Sequence, residues 1–289
     1  MIPPAFEYLR PNTIPEAIAF LQQYGDDAKI LSGGQSLIPM MKLRIARPAY
    51  LIDINRIAGL SYIKEEGGFL KIGGLTREAE LESSPVVHAK YPILVDTTQV
   101  IGDPQVRNLA TVGGNLAHGD PANDHPATML ALGAQIVATG SGGERIIPIE
   151  EFFLSLFSTA LQPGEILTEI RVPAPRARSG GAYFKLERKV GDFATAAVAA
   201  QVTLDASGAV QKVGIALTNV GPTPIKARNA EDFLRGKKPD EANIRQTGQL
   251  AADEAQPSSD LRGPAEYKTG LVKELAKRAL SRATDRASK

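Results

Sequence analysis

The chain has 289 residues, of which 43% are hydrophobic, and its 33 basic and 32 acidic side chains leave a net charge of +1. That length suggests two domains, or one domain with a substantial extension, and the near-neutral balance without a basic block argues against nucleic acid as the main partner. There is no cysteine, so disulfides, thiolate metal sites, cysteine nucleophiles and iron–sulfur clusters held by this chain's own thiolates are excluded.

Taken from the start, MIPPAFEYLRP has neither the basic nor the apolar region of a signal peptide, and no stretch approaches the ~18–20 apolar residues of a membrane span, so a cytoplasmic location is expected. Thr13-Ile14-Pro15-Glu16 offers an N-cap, an early proline and an acidic first turn to a helix over 17–24, which Gly25 stops. A short strand over 29–31 runs into Ser32-Gly33-Gly34-Gln35-Ser36, and 50–54 (YLIDI) alternates like a second strand. Two strands within 60–74 flank Glu66-Gly67-Gly68 as a hairpin, and 76–82 (TREAELE) reads as a helix capped by Thr76. The region 101–121 is rich in turn residues. A helix is expected over 122–132, then strands over 134–139 and 145–149 around Ser141-Gly142-Gly143.

At 173–181 (PAPRARSGG) the composition shifts to proline, arginine and glycine, as linkers do. Beyond it lie strands at 182–187, 196–204 and 210–218, then helices at 227–234, 242–254 and 265–281. The last helix places Tyr267, Leu271, Leu275 and Ala279 at a four-residue spacing on one expected apolar face. This half reads as a strand meander backed by helices. The three histidines, His88, His118 and His125, make no convincing metal set.

Two glycine motifs carry chemistry. In Leu31-Ser32-Gly33-Gly34-Gln35-Ser36-Leu37 paired glycines after a strand let backbone N–H groups converge on an anion without a Cβ in the way, and Ser36 adds a hydroxyl. No Gly-Lys-Ser/Thr follows and the third glycine of G-x-G-x-x-G is absent, so the loop is neither a Walker A nor a Rossmann fingerprint. The second motif is Ala110-Thr111-Val112-Gly113-Gly114-Asn115, preceded by Arg107-Asn108, with Asp124 nine residues after Asn115. Two such loops could clamp one diphosphate. A lone Gly-Gly is usually only a turn, and Gly67-Gly68, Gly73-Gly74, Gly142-Gly143 and Gly180-Gly181 show how common the pair is here, so spacing alone leaves both readings open.

Together the loops are more specific. KILSGGQSLIPMMKLRIARPAYLIDINRI and RNLATVGGNLAHGDPANDHPATMLALGA resemble the two FAD-binding signatures of the flavoprotein (medium) subunits of carbon monoxide dehydrogenase and its relatives, in the xanthine dehydrogenase family of molybdenum hydroxylases. The resemblance continues through FEYLRP, YFKLERKVGDFATAAVA, IALTNVGPTPIKARNAE and EYKTGLVKELAKRAL, nearly the whole chain. It implies an α+β fold: a two-lobed vanillyl-alcohol-oxidase (PCMH-type) FAD-binding domain over 1–176, with lobes of about 1–55 and 56–176, then a smaller domain over 177–289 with a three-stranded antiparallel sheet and helices.

The resemblance further implies noncovalent FAD. Leu31, Ser32, Gly33, Gly34, Gln35, Ser36 and Leu37 would hold its pyrophosphate from one side, and Ala110, Thr111, Gly113, Gly114 and Asn115 its diphosphate and ribityl region from the other. Asp124 would accept from cofactor hydroxyls, Ile101 and Ile166 would pack on the cofactor, and Lys185 and Asp192 would lie beside the flavin. Lys185 or nearby backbone donors are expected to favour the negative charge of reduced flavin. Phe193 stands where close relatives often have tyrosine, keeping the ring and losing the hydroxyl. Bland readings remain for Lys185 (an exposed strand face), Asp192 (a turn), Met40-Met41 (packing) and Asp53 (a strand-end carboxylate).

By the same resemblance no residue of this chain is catalytic and no metal is held. Molybdopterin and [2Fe–2S] clusters belong to a large and a small partner subunit, in a heterotrimer open to further pairing, and electrons leave to an external acceptor. Exposed apolar surface is expected where partners dock. Two alternatives stay open: a stand-alone FAD-dependent reductase or oxidase, which should bring its own acid–base residues, and a non-redox FAD-binding scaffold or maturation protein.

Overall fold

Three parallel strands, β1 (Glu7–Leu9), β2 (Ala28–Leu31) and β3 (Tyr50–Asp53), pair in the order β1-β3-β2 in the computed structural model, which describes all 289 residues. Parallel neighbours need crossovers. Helix α1 (Ile14–Tyr24) and short α2 (Leu37–Lys42) lie in the two connections. The Thr13 hydroxyl accepts from Glu16 N at 3.3 Å, so the expected cap is present. A small core of Ala17, Ile18, Ala28, Ile52 and Ile54 closes this lobe and reaches Leu75 and Ile166 of the next.

The second lobe holds the hairpin β4 (Ile63–Glu66) and β5 (Phe69–Gly73), turned at Gly67 and Gly68, both at positive φ as a two-residue turn requires. Six helices follow: α3 (Glu78–Ser83), α4 (Pro85–Lys90), α5 (Pro92–Gln99), α6 (Pro104–Leu109), α7 (Val112–Ala117) and α8 (Asp124–Leu132). Strands β6 (Gln135–Gly140) and β7 (Gly143–Pro148) come next, then a small hairpin of β8 (Phe153–Ser155) and β9 (Ser158–Thr159), then β10 (Ile166–Pro173). The antiparallel sheet runs β4-β5-β10-β6-β7. Its central strand, β10, is not visible in the sequence reading, and the turn-rich 101–121 contains both α6 and α7. Thr76 is not a cap: buried, it donates to Tyr62 O at 3.0 Å, and α3 begins one residue later, with the Glu80 carboxylate accepting from Arg77 N at 2.8 Å.

The last sheet has three long antiparallel strands, β11 (Ser179–Leu186), β12 (Ala196–Leu204) and β13 (Val210–Thr218), plus the two-residue β14 (Ile225–Lys226). Helices α9 (Arg228–Leu234), α10 (Glu241–Asp253) and α11 (Ala265–Ala287) follow. The alternation of β12 explains its unbroken apolar run. Ala197 and Ala199 face the second lobe's core, whereas Ala196, Val198, Ala200 and Val202 face the core shared with α10 and α11. A strand buried on both faces reads as continuously apolar. Helix α11 buries Lys268, Val272, Leu275, Ala276, Ala279, Leu280, Ala283 and Ala287, and leaves Tyr267 48% exposed. The buried stripe thus lies about one residue round from the expected one, because alanines carry the close contact with the sheet. The Lys268 ammonium is met by Asp260 at 2.7 Å. No helix is long and apolar enough to cross a membrane.

Candidate functional site

The two glycine motifs meet. Ser32 Oγ and Thr111 Oγ1 are 2.7 Å apart, and Thr111, capping α7, accepts from Gly114 N at 3.1 Å. A Cβ on Gly33 would fall on the Leu109 carbonyl oxygen and within 2.8 Å of Ala110 Cα, and one on Gly113 would fall on the Gly74 carbonyl. These glycines therefore let three backbone segments touch, which side chains would prevent. Behind them, Asn55 Nδ2 donates to Ser32 O at 2.8 Å, and Arg77 bridges Asn55 Oδ1 (2.6 Å) and Leu109 O (2.5 Å). Asp53 closes this network by accepting from Tyr8 and Asn55, the structural role expected of it. Asn55 and Arg77 carried no signal in the sequence because their partners are main-chain atoms remote along the chain.

A cleft of about 640 Å³ opens in front of the loops. Ser32, Gly33, Gly34, Gln35, Ser36 and Leu37 line it, as do Ala110, Thr111, Gly113, Gly114 and Asn115. So do Ile101, Asp124, Ile166, Lys185, Asp192 and Phe193; of the residues expected to bind the cofactor only Leu31 stays outside, in β2. The backbone N–H groups of Ser32 through Ser36 make no hydrogen bond within the chain. Five successive free donors beside a cleft suit an anion with several oxygens. On the other wall Asn115 Oδ1 is buried without a partner, an acceptor that calls for a hydroxyl or N–H from whatever fills the cleft. Donors and acceptor together fit a diphosphate carrying a polyhydroxyl chain.

Deeper in, Asp124 accepts from the Tyr183 hydroxyl at 2.7 Å and from Lys185 Nζ at 3.0 Å. Burial pushes the Asp124 carboxyl above its ordinary range, and the adjacent Lys185 ammonium is the strongest force pulling it back. Burial, and then the Asp124 charge, push the Tyr183 phenol well above its ordinary value. Lys185 also donates to Val100 O at 2.9 Å and lies 3.3 Å from Glu187 Oε2. The bland reading of Lys185 fails, since its side chain is only 2% exposed. At the mouth, Asp192 meets Arg188 (3.0 Å) and Arg262 (3.1 Å) and accepts from Phe193 N. The Phe193 ring is 43% exposed, with the Arg262 guanidinium 5.7 Å from its centre. Tyr183 and Arg262 were missed, each lying in an ordinary strand or loop context without a spacing signal; His118, weighed in the sequence only as a metal ligand, lines the cleft, and burial holds its imidazole below its ordinary value.

The family profile described as the FAD binding domain in molybdopterin dehydrogenase matches residues 4–175, and the CO dehydrogenase flavoprotein C-terminal domain matches 181–283. The chain is 48% identical to the carbon monoxide dehydrogenase medium chain of Hydrogenophaga pseudoflava, covering 100% of both. It is 44% identical to that of Afipia carboxidovorans, covering 99% of each. A solved carbon monoxide dehydrogenase from H. pseudoflava superposes with a TM-score of 0.96 at 49% identity over 99% of both chains. The chain belongs to the FAD-binding medium subunits of the carbon monoxide dehydrogenase family of molybdenum hydroxylases.

Proposed function

We propose that the cleft between the two glycine loops holds FAD noncovalently, and that the chain works as the electron-transfer subunit of a complex with a large molybdenum-cofactor subunit and a small iron–sulfur subunit. The supporting observation is the run of five unpartnered N–H groups from Ser32 to Ser36 beside the Ser32–Thr111 bridge. FAD held there would supply the redox chemistry that links [2Fe–2S] clusters of the small subunit to an external acceptor.

The protein's share is to bind, orient and exclude water. Gly33–Ser36 and Gly113–Asn115 grip the diphosphate and ribityl region, with Ser32 and Thr111 fixing the loops against each other. Ile101 and Ile166 supply apolar walls, and Phe193 with Asp192 covers the mouth. We assign Lys185 a different emphasis from the sequence expectation. Its ammonium donates to Val100 O and Asp124 and pairs with Glu187, so it holds Asp124 in place and offers the cofactor only the remainder of its charge. We also propose a division into domains at 176/177, the first holding both loops.

Hairpin β8–β9 supports the subunit reading. Leu154, Leu156 and Phe157 are exposed, Phe157 packs on His118 of the cleft wall at 5.1 Å, and Thr159 lines the cleft. Such a patch marks a docking face, here beside the proposed cofactor.

Expressed alone, the chain should be yellow, release FAD on heating and bleach with dithionite. Co-expressed with the two partner genes it should elute in one species containing all three. A chain that takes up no FAD either alone or in that complex overturns the proposal.

A further inference from the structure

A second cavity of about 390 Å³ sits where the second lobe meets the last sheet. It shares no residue with the FAD cleft. The two lie at opposite ends of β10, whose first residues Ile166 and Leu167 line the cleft and whose last, Pro173, lines the cavity. The eight extended residues of β10 separate them by roughly 25 Å.

Its lining carries three cations, Lys90, Arg176 and Lys212, and no carboxylate. Arg176 and Lys212 form neither an ion pair nor a side-chain hydrogen bond; Lys90 alone is engaged, by Glu65 at 2.6 Å. In the wall stands Tyr91, 2% exposed, its buried hydroxyl directed to the Glu65 carboxylate. Burial, then the Glu65 charge and the hydrogen bond to it, push this phenol up to about 12, so it stays neutral throughout the physiological range. The half-buried Phe69, Leu132 and Pro173 supply an apolar side.

We propose that this cavity is a second ligand site, which takes the phosphate group of a small phosphorylated metabolite. Two free cations and a third shared one match the near-double charge of a phosphate, where one cation would suffice for a carboxylate. The volume falls in the range of small-ligand pockets and exceeds what bare phosphate fills, which leaves Phe69, Leu132 and Pro173 to cover an organic body.

The test is calorimetric titration of the full chain, kept saturated with FAD so that the cleft is closed to competitors. AMP and inorganic phosphate serve as probes. We expect one saturable site for AMP, weakened at least tenfold by Arg176→Gln with Lys212→Gln. Flavin content and unfolding midpoint should be unchanged in the double variant, because both cations are exposed. AMP binding tighter than phosphate identifies an organic phosphate. Phosphate binding as tightly as AMP identifies the free ion and overturns the metabolite reading. The proposal also fails if neither probe binds, if the double variant binds as the wild type does, or if binding to the isolated chain vanishes in the assembled complex, which would make the cavity part of a subunit interface.

Discussion

Replacing Lys185 with methionine keeps the buried stem and removes the ammonium from Asp124. The pair is closed to water, at 2% and 8% side-chain exposure. Removing one partner of such a pair costs about 3–5 kcal/mol, because the other charge stays behind unpaired. Glu187 loses the same cation, and its Oε2, buried without a hydrogen-bond partner, adds to the cost. Burial already raises the Asp124 carboxyl, and Lys185 chiefly opposes that rise, so the variant raises it further. A carboxyl raised in the folded state costs stability above its folded pKa, and that cost fades as the pH falls toward the unfolded value. The loss in Lys185→Met should therefore be largest near neutrality and shrink by up to about 1.4 kcal/mol per pH unit on acidification. Urea unfolding of the wild type, Lys185→Met, Asp124→Asn and the double variant, near neutrality and near pH ~5, measures this directly. The double variant should recover most of the loss, since Tyr183 can still donate to the amide oxygen introduced by Asp124→Asn. A Lys185→Met loss under about 1 kcal/mol, or one equal at both pH values, would refute the reasoning.

Gly33→Ala drives a methyl into the Leu109 carbonyl and should cost about 1–3 kcal/mol and most of the bound flavin. Gly142→Ala, with nothing within 4 Å of the new carbon, should change neither; the ratio of flavin to protein absorbance reads both. Ser32→Ala removes the bridge to Thr111 and should cost about 0.5–1.5 kcal/mol in urea unfolding, with weaker flavin retention. Adding FAD at a hundred times its dissociation constant should raise unfolding free energy by about 2.7 kcal/mol, and a midpoint indifferent to FAD would contradict a cleft that closes around it. Leu154→Asp with Leu156→Asp, both at exposed positions, should leave fold and flavin intact but weaken assembly, as seen by size-exclusion chromatography of the complex.

The two glycine loops that meet at the cleft were legible because their pattern is local: Ser32–Ser36 and Thr111–Asn115 are continuous motifs, each following or opening one element. What joins them was not. The bridge through Asn55 and Arg77 runs to carbonyls of Ser32 and Leu109, and main-chain partners leave no trace in composition. Helices α4, α6 and α7 have six residues each, under two turns, too few for a period of 3.6 to show. In β10, Glu169 and Arg171 pair with each other within the sheet, so charged letters hid a central strand. In α11 the expected face of Tyr267, Leu271, Leu275 and Ala279 shares Leu275 and Ala279 with the buried stripe but leaves out Ala276, Ala283 and Ala287, whose small side chains carry no strong apolar signal.

Arg286, near the end of α11, makes a two-pronged contact with Asp96 of α5, at 2.5 and 3.0 Å, and donates to Gly181 O. The partners are 190 residues apart. During synthesis, at about 5–20 residues per second, α5 leaves the ribosome well before the arginine that clamps it. For that interval, on the order of ten seconds or more, Asp96 and the lobe-facing alanines of β12 lack the finished layer that presses them together. The second lobe, and with it one wall of the cleft, gains this clamp only once α11 has been made, and a nascent chain stalled before Arg286 would expose the seam to chaperones and proteases.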